Sequence, residues 1–444
     1  MPPRPEALRA LLVSYVFPPT GGVGGARVSK LAKYLPAHDV VPAILTARNA
    51  SVPLVDTSLE RDVSPDLEIV RAWTLEPGYG VKKAVWAAST TGPATRGAAR
   101  RGTAGLARLA RQALVPDPQV LWQPDAHRAL LGRLARRRPD DVVFITAPPF
   151  STFLLGPLTR LRPRVALVLD YRDEWLTLRN SYEMIAGRAA AVTGALLERT
   201  LLRLPHVITT ATEAFRKALL DRFRFLDPAR VVTITNGYDP DDFPEKLPEP
   251  PTDRFVVTFA GTIYKLTSAR GFLGAVRRLH ARAPALAKSL EVRFLGRIVE
   301  SEVEAFAGTE SLGVVRTGFT PKDGVISALA ASHVTMCLQA EVAGVERIYP
   351  AKIFELMHLG RPCLTISPPG ALTELAVRHR LGPVLHPRDE EGIAALLEAQ
   401  LRSFRAGTFP ARSEAVDTER FDRRLIAGEF ARVFREAVSR ARSR

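Results

Sequence analysis

Lys352 and Glu355 combine residue types and a spacing that could bind a nucleotide. They lie three positions apart in the stretch RIYPAKIFELMHLGRPCL, residues 347–364, so a helix would project both side chains from one face near its N-terminus. Amides at a helix N-terminus and a lysine suit phosphate, and a carboxylate accepts hydrogen bonds from ribose hydroxyls. The same spacing is also typical of an ordinary surface ion pair. Both interpretations stay open at this point.

The surrounding residues predict the helix that this pair requires. Pro350 suits a first helical turn, Gly360 suits a left-handed cap, and Pro362 stops the helix before the apolar run CLTI. The apolar side of the helix would consist of Ile353, Phe354, Met357 and Leu359. We therefore predict a helix over residues 350–359, followed by a buried strand.

A glycine-rich loop near the start of the chain is a second candidate for ligand binding. It follows the apolar run 8–17 and precedes the helical pattern ARVSKLAKYL. Its glycines, which would let backbone amides approach a phosphate or a sugar, are Gly21, Gly22, Gly24 and Gly25. Arg27 occupies the third glycine position of the dinucleotide fingerprint, which argues against an NAD site. A purely structural strand-to-helix turn is the alternative.

Charged residues also end the apolar run RVALVLDYRDEW, residues 164–175. The carboxyl ends of parallel strands are where open α/β sheets bind ligands. Asp170, Arg172, Asp173 and Glu174 are therefore candidate site residues, and a buried Arg–Asp pair that locks the loop is the alternative.

Composition limits the class of protein. The chain has 444 residues, 46% hydrophobic and 24% charged, which is typical of a globular protein of two or three domains. No apolar run reaches the roughly 18–20 residues that span a bilayer, and the first residues do not resemble a signal peptide. Cys337 and Cys363 both lie in apolar runs, which predicts reduced core cysteines and no zinc site. We expect a cytoplasmic protein, either free or at the inner face of the plasma membrane.

The net charge of +16 allows nucleic acid, anionic lipid or phosphorylated substrates as partners. Aromatic residues make up only 7% of the chain and do not interleave with the basic runs, which argues against nucleic acid. Residues 82–114 contain seven Lys and Arg and no acidic residue. They predict peripheral contact with an anionic membrane, and a solvated insertion is the alternative.

Strand and helix patterns alternate on both sides of the proline-rich segment PEKLPEPPTD. They predict an α/β protein of two doubly wound domains. The predicted division is 1–243, a linker at 244–253, 254–400, and a helical tail at 401–444 that packs back on the first domain.

The helix segment resembles the P-[SA]-K-x-x-E and G-[RK]-P motifs of glycosyltransferase family 4-like enzymes, which have the GT-B fold of two Rossmann-like domains facing across a cleft. By this resemblance Glu355 holds the ribose of a nucleoside diphosphate sugar, with Lys352 beside it in the donor site. The first glutamate of the family motif falls at Arg347, one residue from Glu346. The donor sugar and the retaining or inverting outcome are therefore left open.

Other segments resemble the same family, and this resemblance implies further site residues. The glycine loop corresponds to the family's Phe-Pro-Pro and glycine opening, and NGYDPDDF to its N-G-x-D-x-x-x-F motif. DYRDEW resembles D-x-R-D-x-W, and APPFS resembles P-P-H-S with Phe150 at the histidine position, so the role of base passes to Asp173 with Arg172 as a second catalytic residue. The donor-binding residues that we predict are Gly22, Gly24, Gly25, Gly261, Lys265, Arg270, Gly296, Lys352 and Glu355.

The resemblance implies a metal-independent hexosyltransferase that moves a sugar from a nucleoside diphosphate sugar to a hydroxyl acceptor, with no further cofactor. In the family's diphosphate loop Arg270 stands at the cation position, and Lys265 supplies the charge that Thr262 lacks. Biosynthesis of cell-envelope polysaccharide, glycolipid or a glycosylated metabolite would suit this activity. The alternatives are a sugar-nucleotide epimerase of the same fold and a non-catalytic polyanion-binding protein.

Overall fold

The computed structural model describes residues 7–20, 23–51, 56–78, 114–175 and 188–443. The chain divides into two compact units, Met1–Ile234 with Ile426–Arg444, and Thr235–Leu425. The first and second units are named in this order below. The predicted domain bounds stay a prediction, and the proline-rich segment 244–253 belongs to the second unit.

The first unit contains a sheet of seven parallel strands. In chain order they are β1 Leu8–Val13, β2 Val40–Ala47, β3 Glu68–Ala72, β4 Val142–Ala147, β5 Ala166–Tyr171, β6 Val207–Thr210 and β7 Val231–Thr233. They pair in the order β3-β2-β1-β4-β5-β6-β7. All residues of β4 and β5 are buried, as expected for strands covered on both faces.

The second unit contains a sheet of six parallel strands. They are β8 Phe255–Ala260, β9 Leu290–Leu295, β10 Val314–Gly318, β11 Val334–Leu338, β12 Cys363–Ile366 and β13 Val384–Leu385. They pair in the order β10-β9-β8-β11-β12-β13. Cys337 and Cys363 are buried free cysteines in neighbouring strands, as the sequence predicted.

Helices connect the strands of both sheets. In the described part of the chain they are α1 Val23–Tyr34, α2 Gln123–Leu134, α3 Arg188–Leu201, α4 Glu213–Arg222, α5 Arg270–Arg282, α6 Pro284–Ala287, α7 Glu300–Val303, α8 Lys322–Ala330, α9 Lys352–Leu359, α10 Ala371–Arg378, α11 Glu390–Arg405 and α12 Arg423–Arg442. None of these helices combines the length and the hydropathy needed to cross a bilayer.

One predicted helix has a different form. Residues Phe150–Leu161 form a 3-10 helix with Pro157 inside it. Proline lacks the N–H that an α-helix would use, and its ring clashes with the carbonyl four positions earlier. Pro157 therefore accounts for the 3-10 form of the helix Phe150–Leu161.

Two apolar cores enclose the first sheet, one on each face. Leu11 and Val13 of β1 belong to one core, and Ala10 and Leu12 belong to the other. α12 closes the second of these cores with Phe430 and Phe434, among other residues. The alternation follows from the two-residue period of a strand.

The strand orders place the ligand-binding edges of both units. In each sheet the second and third strands in sequence are added on one side of the first strand, and the later strands are added on its other side. The order reverses between β1 and β4 in the first unit and between β8 and β11 in the second. Parallel sheets of this order bind ligands at the carboxyl ends of the strands that flank this switch point. The loops after β1, β4, β8 and β11 are therefore where the candidate site residues should lie.

Candidate functional site

α9 forms where the sequence predicted a helix, with one small difference. It begins at Lys352, and Pro350 lies in the turn before it, where the Ile353 N–H donates to the Pro350 carbonyl at 3.0 Å. Gly360 has a φ of 70° and caps the helix through hydrogen bonds to the carbonyls of Leu356 and Met357. The left-handed cap favours glycine at this position.

Lys352 and Glu355 share one face of α9 and contact each other. The Lys352 Nζ donates to the Glu355 Oε2 at 2.9 Å. The Glu355 side chain is 17% exposed and the Lys352 side chain 34%. The pair is therefore partly buried at the carboxyl edge of the second sheet, beside the loop that follows β11.

A second lysine, which the sequence analysis missed, lies on the other oxygen of Glu355. The Nζ of Lys322, the first residue of α8, is 3.8 Å from the Glu355 Oε1 and also donates to the Asp242 carboxylate. Burial acts to raise the pKa of Glu355, but Lys352 and Lys322, helped by Arg423, outweigh it and hold the pKa below its ordinary value. Glu355 is thus a charged acceptor at neutral pH.

The segment around Asp242 packs on α9. Tyr238 stacks on His358 with ring centroids 4.1 Å apart, and Phe243 makes an edge contact with the same ring, with centroids 4.6 Å apart. The Asp239 carboxylate accepts from the Asp241 N–H at 3.0 Å, so this stretch forms a turn. The NGYDPDDF motif therefore brings Asp242 to Lys322.

The loop after β8 carries Gly261, Lys265 and Arg270. Lys265 is exposed in the loop, and Arg270 is the first residue of α5. The Arg270 guanidinium donates to the Ser301 carbonyl at 2.7 Å and lies 3.4 Å from the Glu302 carboxylate. A role for these residues on a diphosphate stays a prediction, and the structure ties Arg270 to a carboxylate in its own unit.

Gly261 and Gly296 bring two strand ends into close contact. Gly296 has a φ of 126°, and a Cβ atom there would lie 2.2 Å from the Gly261 carbonyl oxygen. Gly296 also forms a bridge with Gly318 at the end of β10. These glycines are needed for backbone packing, whatever they contribute to a ligand.

The loop after β11 contains the position of the missing motif glutamate. Glu346 accepts a hydrogen bond from the Gly344 N–H at 2.8 Å and pairs with Arg347. A cavity of about 260 Å³ opens beside this loop, small for a ligand pocket. Its lining consists of Glu341, Val342, Ala343, Val345, Glu346, Pro368 and Pro369.

In the first unit, Arg172 joins two segments at the carboxyl edge. Its guanidinium donates to the carbonyls of Gly24 at 2.6 Å and Ala147 at 3.3 Å, and also to that of Pro148. A Cβ atom at Gly24 would lie 2.9 Å from the Arg172 Nη1. Arg172 therefore fixes the first turn of α1 to the end of β4 and the loop that follows it. Gly25 lies in the first turn of α1, and Gly22 lies outside the described residues.

A buried ion pair lies beneath this edge, formed by Arg27 and Asp170. Two Arg27 nitrogens lie 3.0 and 3.1 Å from the Asp170 oxygens. Thr146 and Thr209 each donate to the same carboxylate at 2.7 Å. The locking pair that the sequence left as an alternative is thus present, but its arginine is Arg27 and its carboxylate is Asp170.

Asp173 lies next to this pair and is only partly buried. Burial raises the pKa of Asp173, although Arg172 and Arg27 oppose the shift. Phe150, at the position of the family's histidine, stacks on Trp175 with ring centroids 4.7 Å apart. Asp173 is therefore a carboxyl group at this edge whose pKa is raised above its ordinary value, which suits a proton acceptor.

The comparisons with known proteins concern the sequence family and the fold. Residues 80–242 match the sequence model of Glycosyltransferase Family 4. No curated protein matches the sequence significantly. The predicted resemblance to family 4-like glycosyltransferases is thus confirmed over that stretch.

Solved structures share the fold over nearly the whole chain. Sucrose-phosphate synthase from Thermosynechococcus elongatus is 14% identical, with 96% of this chain and 98% of that chain covered and a TM-score of 0.61. Anabaena HepE, in complex with UDP and glucose, is 15% identical with the same coverage and TM-score. A Listeria monocytogenes protein described as a UDP-N-acetylglucosamine 2-epimerase is 10% identical over 95% of this chain and 94% of its own, with a TM-score of 0.50.

These findings identify the fold of the chain. The chain has the GT-B fold with two Rossmann-like domains, as predicted. The family match and the fold support sugar transfer. The predicted membrane-contacting stretch 82–114 lies outside the described residues except for Leu114.

Proposed function

We propose that the protein transfers a sugar from a nucleoside diphosphate sugar to a hydroxyl acceptor. The observation that carries the proposal is the charged Glu355 on α9, flanked by two lysines at the carboxyl edge of a Rossmann-like sheet. A carboxylate at this place can accept hydrogen bonds from both ribose hydroxyls. The UDP and glucose bound by HepE support a donor of this chemical class.

In the proposed reaction the bond between the anomeric carbon and the diphosphate oxygen breaks, and negative charge develops on the diphosphate. Cations aimed at that charge stabilise the transition state. Lys352 at the start of α9 and the exposed Lys265 in the loop after β8 are our candidates. Arg270 could join them only by leaving Glu302. No step is assigned to a metal ion or to a further cofactor.

For the acceptor we assign proton removal to Asp173 in the first unit. As the acceptor oxygen bonds to the anomeric carbon, its proton passes to the carboxylate, whose raised pKa suits this task. Arg172 acts as a positioning residue, because its guanidinium holds the first turn of α1 through the Gly24 carbonyl. Whether the anomeric configuration is retained or inverted is left open by Arg347 at the position of the motif glutamate.

We further propose a hexose donor and an acceptor of the cell envelope, lipid-linked or polysaccharide, at the inner face of the plasma membrane. The basic composition of residues 82–114 supports an anionic surface as the place of reaction.

The test is incubation of the protein with a panel of UDP-, GDP-, ADP- and dTDP-sugars. We expect release of free nucleoside diphosphate from one donor, reduced in Glu355→Gln and unchanged in Glu374→Gln, which alters an exposed carboxylate of α10. Epimerised sugar without release would instead favour an epimerase, an activity that the likeness to the Listeria enzyme keeps as a second candidate. No turnover of any donor would contradict both.

A further inference from the structure

Lys322 contacts both Asp242 and Glu355, and it lies outside the motifs that the sequence analysis identified. We propose that Lys322 is a positioning residue, a fixed counter-ion that keeps Glu355 charged and in place for the ribose when Lys352 turns to the diphosphate. This proposal rests on the proposed function, because it assumes that Glu355 and Lys352 bind parts of one nucleotide.

The two lysines differ in how firmly they are held. Lys352 is bonded to Glu355 within the same helix, and its side chain is 34% exposed. Lys322 lies between two carboxylates, and its side chain is only 14% exposed, with that of Asp242 at 4%. Lys322 is therefore the lysine that is fixed, and Lys352 the one that is free to reorient.

Asp242 is itself held in place. It ends the 3-10 turn Pro240–Asp242, which Asp239 caps. Tyr238 and Phe243, on either side of the turn, both pack on His358 of α9. The helix that carries Glu355 and the segment that carries Asp242 thus form one packed cluster, so Lys322 is oriented from both sides.

Electrostatics explain why a second lysine is needed. Among the described residues, the cations that act on Glu355 include Lys352 on its own helix, Lys322 on α8 and Arg423 at the start of α12, and Lys322 also contacts the Asp242 carboxylate. If Lys352 alone neutralised Glu355, its departure toward a diphosphate would leave a partly buried carboxylate beside a new anion. Both changes favour protonation, and a protonated carboxyl accepts hydrogen bonds from hydroxyls more weakly. Lys322 prevents this competition between the two halves of the nucleotide.

The first experiment needs no ligand. In protein labelled with ¹³C-glutamate, the Glu355 resonance is assigned by its loss in Glu355→Gln, and its pH titration is followed. We expect Glu355 to titrate at higher pH in Lys322→Met, at the wild-type pH in Lys322→Arg, and at the wild-type pH in Lys288→Met, which removes an exposed lysine of the same unit. An unchanged titration in Lys322→Met overturns the proposal.

The second experiment measures binding of the nucleoside diphosphate that the donor panel selects and of the matching nucleoside. Lys322→Met should weaken both by about tenfold, with a loss that grows as the pH falls, and should add little in a Glu355→Gln background. Lys352→Met should weaken the diphosphate alone. An equal loss on the Glu355→Gln background would show that Lys322 acts without Glu355 and would overturn the proposal.

The two experiments separate the two hypotheses. If the wild-type protein binds no nucleotide while Glu355 titrates as expected, the proposed function fails and the counter-ion role of Lys322 stands. If nucleotide binds but Glu355 titrates identically in all variants, the function stands and the role of Lys322 fails.

Discussion

At the scale of single residues, the pKa values of two carboxyl groups are shifted in opposite directions. Two lysines hold the pKa of Glu355 low in spite of burial, whereas burial raises the pKa of Asp173 in spite of two arginines. A low pKa suits a permanent hydrogen-bond acceptor, and a raised pKa suits a group that gains and loses a proton. The two environments therefore match the two roles that we propose.

Glu355→Gln should weaken binding of the nucleoside diphosphate without unfolding the protein. The substitution removes the charge that strengthens hydrogen bonds to two hydroxyls, at a cost on the order of 1.5–3 kcal/mol. Isothermal calorimetry measures it, with the exposed Glu374→Gln as the control. Unchanged affinity in a folded variant would refute the assignment.

Asp173→Asn should lower the turnover rate by a factor of about 10²–10⁴. In the wild type, kcat/KM should fall at acid pH with a midpoint above about 3.9, the ordinary value for aspartate, because the raised pKa delays formation of the base. A raised pKa means that the folded state binds the Asp173 proton more tightly than the unfolded state, so ionisation of Asp173 lowers stability as the pH rises. Asp173→Asn should therefore not lower stability at pH 7.

Asp170→Asn is the contrasting variant for this test. It should lower stability, because it leaves the buried Arg27 without its carboxylate. Full activity of Asp173→Asn, or a pH profile with an ordinary aspartate midpoint, would remove Asp173 from the mechanism.

At the scale of elements, the ends of the strands in the second unit constrain their own sequence. Gly261 follows β8 and Gly296 follows β9, and their backbones approach too closely for a side chain at Gly296. The loops that carry Lys265 and Arg270 therefore start from a fixed backbone.

Gly296→Ala should destabilise the second unit more than Gly308→Ala. Both positions have positive φ, but a Cβ atom at Gly296 would lie 2.2 Å from the Gly261 oxygen, whereas Gly308 has no atom within 4 Å. We expect an additional loss of about 1–3 kcal/mol for Gly296→Ala, typical of overpacking. Urea unfolding followed by circular dichroism measures the difference, and equal losses would show that the strand ends can move apart.

Local patterns predicted these elements well where one stretch of chain contained the whole signal. The apolar period and Gly360 predicted α9, and the spacing of Lys352 and Glu355 predicted their shared face. The short strand β13 was missed, because two residues have too little pattern. Lys322 could not have been found in this way, since it lies 80 residues from Asp242 and meets it only in the folded chain.

At the scale of the molecule, the first unit is discontinuous in sequence. Its core is completed by α12, whose Phe430 and Phe434 each lie with ring centroids 5.5 Å from that of Phe144 on β4. The second unit is continuous, from Thr235 to Leu425. The stability of the first unit thus depends on residues that follow the second unit in the chain.

Phe434→Ala should destabilise the first unit by about 3–5 kcal/mol, as expected for a fully buried phenylalanine. All four tryptophans lie before residue 176, so their fluorescence reports on the first unit. Denaturant unfolding should show an earlier fluorescence transition in Phe434→Ala and an unchanged one in Phe272→Ala, a buried variant of the second unit. Equal shifts in both would mean that the units unfold together.

The basic stretch 82–114 should bind anionic liposomes at low salt. Each Lys or Arg near such a surface contributes about 1 kcal/mol, and the stretch contains seven of them. Flotation should be lost at high salt and in a triple variant that changes Arg100, Arg101 and Arg108 to Gln. A control that changes the exposed Arg137, Arg138 and Arg378 to Gln should still float. If both triple variants floated equally well, membrane binding would depend on the overall charge of the protein and not on residues 82–114.

The position of α12 in the chain has a consequence for biosynthesis. From Ile426 onward α12 belongs to the first unit, so the ribosome must complete residues 235–425 before the first sheet receives its covering helix. At about 5–20 residues per second this interval lasts about 10–40 s. During that time the face of β1 and β4 that later meets Phe430 and Phe434 lacks these partners. The nascent first unit is therefore a natural client for a chaperone that binds exposed apolar strands, whereas the second unit can mature as soon as it emerges.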